Sequence, residues 1–288
     1  MRRLLTIIFL IGTALRGTAQ ENLPSLADSI VRDTTLRSPG VKRVAVHLLH
    51  GSLEVRTGTA LRARITRRIR ADSQTGLARA RRSPALRVSR VDSVIDLFQP
   101  GRAWHRPMRD GYRPFSHRDI PRVADHVILT LPGDVDLDAV ILVRGSIAVH
   151  NWTGRFDLHT GCGNVVIDAV DGGGQATTDS GSLRITYRRD PRNTAHFGTL
   201  NGNIDILLPP NPDADLRVLA RFGEAWSAPA FTYRPHRAPR IRTRGTMQRI
   251  QSDPFTGIRL GNGAPVDVHL VALGGDIHIR DAAQPVQP

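Results

Sequence analysis

The sequence predicts an all-β chain folded as a β-solenoid, a parallel β-helix-like stack of short strands with glycine at the corners. Three observations carry that expectation. A short phrase recurs along the chain: GSLEV at 51, GSIAV at 145, GRFDL at 154, GNVVI at 163, GSLRI at 181, GNIDI at 202 and GDIHI at 275. Within it the second and fourth residues after the glycine are apolar, as in Ile147 and Val149, or Leu183 and Ile185, with polar residues such as Asp157, Arg184 and Asp205 between apolar neighbours. That period of two describes a strand with one face buried and the other in water. The spacing is also regular: Gly145, Gly154 and Gly163 are nine residues apart, Gly163 to Gly181 is twice nine, and Gly181 to Gly202 is twenty-one.

Taken from the start, residues 1–19 read as a signal peptide, with Arg2 and Arg3, an apolar run from Leu4 to Leu15, and a small-residue exit at Gly17 and Ala19. The run is too short to span a bilayer comfortably, and no later stretch approaches the roughly 20 apolar residues of a membrane helix. Export to the periplasm or the cell surface is therefore expected. Residues 20–40 read as a linker and 41–281 as one solenoid domain. Cys162 is the single cysteine, so no internal disulfide staples the fold. Its flanks TGCGN carry no Lys, Arg or His, which describes a small residue in a turn rather than an activated thiol. Hydrophobic residues at 40% exclude a disordered chain, and Val, Ile and Leu rather than aromatics, at 5%, must fill the core.

Two stretches early in the domain, LRARITRRIRA and PALRVSRVDSVIDLFQP, read as longer strands, with Val88, Val91, Val94 and Ile95 as core residues. Between them and the block starting at Asp125 lies GRAWHRPMRDGYRPFSHRDIPR, about 101–122, which has no period and reads as a loop. Arg102, Trp104, Arg106, Arg109, Tyr112, Arg113 and Phe115 on it could stack on sugars or pair with anions, which makes it the candidate ligand-contact loop. A second irregular stretch runs over 224–245, and the tail 282–288 reads as disordered.

The repeated phrases have two architectures open to them. A meander needs a reversing turn after every strand, usually Asn-Gly or Asp-Gly. A solenoid needs only corners that redirect the chain, with two strands per coil and residues about eighteen apart stacked on each other. The mixed, glycine-rich turns HTGCG, AVDGGG, TTDSG and TLNG favour the solenoid. Gly51, Gly145, Gly154, Gly163, Gly181, Gly202 and Gly275 are then its turn glycines, each placed where a side chain would be costly.

The succession LTLPGDVDLDAVILVRGSIAV, GRFDLHTGCGNVVIDAV, DSGSLRITY, FGTLNGNIDILLPP and ALGGDIHIRDA resembles the bacterial adhesin-like domain family known as DUF4097, over about Val41 to Asp281. The resemblance implies an exported or membrane-tethered protein, a single-stranded right-handed solenoid and an adhesive role. It supplies no catalytic residues.

Other chemistry is weakly represented. His150 and His159 each fall five residues after a phrase glycine, but nine residues apart places them on opposite faces, so no shared metal is expected. One copy of DGGGQATTDSG does not make the tandem turns that calcium-binding solenoids use. There is no GxSxG, HExxH or P-loop, and the outward aspartates are what any solvated strand carries, so no enzyme and no cofactor are expected. The formal charge of +14 suggests a polyanion partner, yet Lys42 is the only lysine, which looks like coding bias, and export argues against nucleic acid. The expected function is a non-enzymatic, monomeric adhesin-like module that presents loops to a cell-surface glycan or other extracellular ligand. The alternatives are a periplasmic scaffold or envelope-stress interaction module and, after it, a polyanion binder or a carbohydrate-active β-helix enzyme.

Overall fold

The computed structural model describes residues 26–35, 40–71, 73–82, 85–99, 122–234, 243–251, 255–264 and 266–281. Among them the chain is all-β apart from one helix. The expected signal peptide 1–19, the tail 282–288 and residues 101–121 of the candidate loop lie outside the described residues.

The first strands are β1 (Leu26–Thr35), β2 (Arg43–Thr57) and β3 (Arg62–Ala71), followed by the helix α1 (Gln74–Arg81). Ser73 caps α1 by accepting the Gly76 amide, and Leu77 and Ala80, three apart on one face, bury against Ile69 and Ala71. Then come β4 (Arg87–Val91) and β5 (Val94–Phe98), a hairpin turning at Asp92 with φ 52°. Ile95 is buried as expected, but Val88 and Val91 are exposed, 39% and 66%. They lie on β4, which pairs β5 antiparallel and stands beyond the core. The expected linker 20–40 also needs correction, because residues 26–35 form β1. Its pairing with β3 creates the strand, where its own sequence has no clean alternation.

The repeat region runs β6 (Arg122–Leu131), β7 (Asp136–Arg144), β8 (Ile147–His150), β9 (Phe156–Cys162), β10 (Val165–Val170), β11 (Gly174–Ser180), β12 (Leu183–Tyr187), β13 (Ala195–Asn201) and β14 (Ile204–Leu208). Consecutive strands alternate between two ladders, one strand of each making a rung. In ladder A, Val165 pairs Ile147 on one side and Leu183 on the other, each eighteen residues away, and both pairings are parallel. In ladder B, Gly174 pairs Phe156, also eighteen away, and Ala195. The apolar phrase positions all face one core: Ile147, Val149, Phe156, Leu158, Val165, Ile167, Leu183, Ile185, Ile204 and Ile206 are at most 1% exposed.

The last elements are β15 (Ala214–Ala220), β16 (Ala225–Ser227), β17 (Phe231–Arg234), β18 (Thr243–Arg244), β19 (Met247–Ile250), β20 (Thr256–Leu260), β21 (Asp267–Gly274) and β22 (Ile277–Asp281). The stretch 224–245, expected to be irregular, thus contains short strands. Ala225 and Ser227 face the core and Tyr233 packs on it, so the phrase GEAWS continues the repeat with small residues in its apolar positions.

Stacking order departs from chain order at both ends. The first half of β2 lies between β5 and β7 in ladder B, and its second half lies between β6 and β8 in ladder A. Likewise β21 lies between β13 and β15, and β22 between β14 and β16. The last phrase is therefore an interior rung. Antiparallel strands cover the ends instead: β3 on β6 and β4 on β5 at one end, β20 on β15 and β19 on β16 at the other.

Candidate functional site

Six of the seven turn glycines sit in one corner of the stack, in a column that starts at Gly51. A Cβ on Gly163 would stand 2.0 Å from the Gly145 carbonyl oxygen, and one on Gly181 would stand 2.1 Å from that of Gly163. Both glycines have φ +154°, so contact and conformation each demand glycine. Gly145 meets Gly51 in the same way, Gly202 meets Gly181, and Gly275 meets Gly202. Gly154 is elsewhere, in the opposite corner against Val135 and Gly172. Asp125 and Gly223 extend the Gly51 column at its two ends and escape a search for glycine followed by large apolar residues.

Side chains lock this corner from both sides. Inside, Thr160, Thr178 and Thr199 are buried and donate their hydroxyls to the carbonyls of Gly145, Gly163 and Gly181. Outside, Asn164 accepts the Ser182 amide, Ser182 the Asn203 amide, Asn203 the Asp276 amide and Asp276 the Glu224 amide. Almost every polar group here is committed to the backbone, so the corner is scaffold.

A continuous row of solvent-facing polar groups lies on the outer side of ladder B. Directly paired residues place Asp138, Asp157, Gln175, His196, His269 and Arg217 in one row across β7, β9, β11, β13, β21 and β15. With strands about 4.8 Å apart, the row is about 24 Å long. Gln175 donates to both Asp157 carboxylate oxygens at 2.9 Å. The His196 and His269 rings are 4.3 Å apart, and Phe255 approaches His269 at 6.2 Å.

Two depressions meet at that histidine pair. One, of about 490 Å³, is lined by Thr153, Arg155, Asp157, Gln175, Asn193 and His196. The other, of about 680 Å³, is lined by Arg217, Arg234, Phe255, Asp267 and His269 among others. Burial, then the charges of His196 and Arg217, hold His269 below the usual histidine range, against the pull of Asp267. Beneath the second depression, burial pushes the Asp215 carboxyl up, but bonds from Arg259 and Arg234 outweigh it and hold Asp215 below the ordinary carboxylate range. That end of the groove is thus crossed by ion pairs, Arg217 with Asp267 and Arg234 and Arg259 with Asp215.

The groove offers amide, guanidinium, carboxylate and imidazole groups; on the same face Thr177 Oγ1 meets His159 Nδ1 at 2.9 Å, outside the lining of either depression. Ser52 Oγ also meets His126 Nδ1 at 2.8 Å, but neither residue lines either depression. Among the described residues no group of three or more His, Cys, Asp and Glu is placed to hold a metal ion. None of their helices is long and apolar enough to cross a membrane. Of the candidate ligand contacts, Arg102, Trp104, Arg106, Arg109, Tyr112, Arg113 and Phe115 lie outside the described residues, in the connection from β5 to β6. The sequence reading missed the groove because its residues come from strands spread over 138–269, and only pairing aligns them.

No family model matches the chain, and no curated protein matches it. Among solved structures, a putative cell adhesion protein from Clostridium sporogenes superposes with a TM-score of 0.38 at 10% identity, over 88% of this chain and all of that one. A putative adhesin from Bacteroides fragilis gives 0.39 at 9% identity, over 88% and 97%. A putative lipid binding protein from Parabacteroides distasonis gives 0.26 at 9% identity, over 87% and 96%. At these identities and superposition scores the likenesses carry no inference about ligand or activity.

Proposed function

We propose that the chain is an exported, non-enzymatic, adhesin-like β-solenoid that binds a hydroxyl-rich ligand, a cell-surface or extracellular glycan, along the outer groove of ladder B. The observation that carries the reading is the polar row running from Asp157 through Gln175 and His196 to Arg217, with open depressions on both sides of the histidine pair. Hydroxyl groups both donate and accept, so a sugar is matched by a floor that runs from carboxylates through an amide and imidazoles to a guanidinium group. Imidazole and phenyl faces add surfaces on which a pyranose can lie. The connection from β5 to β6, with Trp104, Tyr112 and Phe115, is proposed as a second contact on the same ligand.

The test is a glycan-array screen of the mature chain, followed by titration of the best hit against Gln175→Ala/His196→Ala and against a chain lacking 101–121. The reading expects at least tenfold weaker binding for the groove variant, with unchanged thermal melting. Equal affinity in both proteins, or an array without hits, overturns it. Protease digestion of intact cells, compared with cells whose envelope has been opened, tests surface exposure. Protection until opening favours the periplasmic scaffold. That second reading has its own support in β1, which is hydrogen-bonded on one side only among the described residues and is largely exposed on both faces, so its edge can take a partner strand.

A further inference from the structure

We propose that the outer face of β3 is a docking strip for a linear polyanionic glycan, a chain bearing sulfate, phosphate or carboxylate groups. The observation is independent of the ladder B groove. Five of the ten residues of β3 are arginine, against 40 Lys and Arg in 288 residues overall. A coding preference explains arginine in place of lysine; it does not explain the clustering. Arg67 turns inward and forms a buried two-point pair with Asp125, at 2.8 and 2.9 Å. Arg62, Arg64, Arg68 and Arg70 turn outward and are exposed. At about 3.4 Å per residue they make a strip about 27 Å long, with neighbours about 7 Å apart on either side of Thr66.

Several strand arginines elsewhere are neutralised from the adjacent strand: Arg43 by Asp138, Arg217 by Asp267 and Arg259 by Asp215. On β3 only Arg64 is answered among the outward four, by Asp33 at 2.8 Å. Arg62, Arg68 and Arg70 have no carboxylate within ion-pair distance among the described residues. The strip's field reaches a neighbour: after burial, the Arg68 charge is the next cause holding the His126 proton affinity down. Edge protection does not account for these charges either, because β3 is interior, between β1 and β6.

The shape selects among polyanions. The described positions paired across the face, Ser29, Val31, Asp33, Thr35, Ala124, His126, Ile128 and Thr130, include no Phe, Tyr or Trp on which a base could stack. Among the described residues no helix or ribbon projects from it to enter a duplex groove. Val31 is the one strongly exposed apolar side chain among them, too little to enter a bilayer. An extended, charged sugar chain lying along the strand fits what remains.

The experiment measures binding of a heparin-type sulfated oligosaccharide across a salt series. It compares the mature chain, the strip variant R62Q/R68Q/R70Q, the charge-retaining R62K/R68K/R70K, and a control, R184Q/R192Q/R221Q, which removes three exposed arginines elsewhere. The strip variant is expected to bind at least tenfold more weakly, with a log–log salt slope shallower by about 2 for three lost contacts. The lysine variant should keep most of that slope, and the control should stay within twofold of the parent. Equal loss in strip and control variants overturns the proposal in favour of non-specific charge. Absence of binding, or tighter binding to a DNA duplex or to phosphatidylglycerol vesicles than to the oligosaccharide, also overturns it. The groove variant Gln175→Ala/His196→Ala should bind the oligosaccharide unchanged, which separates this surface from the proposed glycan groove.

Discussion

The rungs of β9 to β14 and the rungs of β2 and β21–β22 use the same phrase, the same corner and the same two ladders, yet they are placed by different rules. In the middle, each rung stacks on the one before it in the chain, eighteen or twenty-one residues back. At the ends, a rung from one place in the chain is slotted between rungs from another, so that Ile277 pairs Ile204, seventy-three residues earlier, on one side and Ala225 on the other. The phrase therefore specifies what a rung is and leaves open where it goes. Interleaving closes the stack with non-local contacts, each of which carries the entropic cost of closing a long loop. It also ties the final described strands into the interior, where fraying is opposed on two sides.

The sharpest way to break this contrast is to cut the chain after residue 264, which removes β21 and β22. That leaves β13 and β14 facing β15 and β16 across an empty rung, and the expected result is loss of cooperative urea unfolding. A peptide of residues 266–281 added in trans should restore part of the transition. A truncated chain that unfolds like the parent would mean that the inserted rung is dispensable.

Within the middle, Gly181→Val should be nearly as severe, since the new Cβ falls 2.1 Å from the Gly163 oxygen at φ +154°. A cost of about 3 kcal/mol or more is expected from overlap plus strain. Gly198→Ala on β13 is the internal control. Its Cβ would meet Thr177 at an ordinary 3.5 Å, and its urea midpoint should barely move.

The capped end tests differently, because its corner is held by charge where the middle uses glycine. Asp125 is fully buried, accepts two bonds from Arg67 and a further one from Gln99, whose own oxygen takes the Leu49 amide. Arg67→Met strands that carboxylate and is expected to cost about 3–5 kcal/mol by chemical denaturation. Replacing both partners, Arg67→Met with Asp125→Leu, should recover much of the loss.

The smallest expected effect is pH dependence. His126, His269 and His278 are each held below the ordinary histidine value of 6.5, with burial the largest cause. The unfolded chain then takes up protons at a higher pH than the folded one. Stability is full above about 6.5 and declines as pH falls through the window beneath it. His278→Gln, which removes the most enclosed of the three, should flatten the melting temperature between pH 7 and pH 5.5.

Much of the fold was legible because alternation and glycine spacing are local signals. The inward residues of GSIAV, GNVVI, GSLRI and GNIDI are all buried, and eighteen-residue stacking follows from nine-residue phrases. Strand β1 was not legible, since its partner is β3 and its own pattern is weak. Nor was GEAWS, where Ala225 and Ser227 take the inward positions that larger residues hold elsewhere. The candidate loop was chosen for aromatic and basic composition, which is visible in a string. The groove is a row of single residues contributed by different strands, which is visible only after pairing.

By itself, then, the sequence determined that this protein is all-β, that short half-buried strands recur, and that glycine marks their corners, because these properties depend on residues a few positions apart. Tertiary structure alone decided the order of the rungs, the insertion of β2 and β21–β22, and the capping of both ends by antiparallel strands. It also decided which polar residues share a surface. Those outcomes depend on which strand edge each rung meets, and edges of nearly identical phrases are chosen by packing across the whole chain.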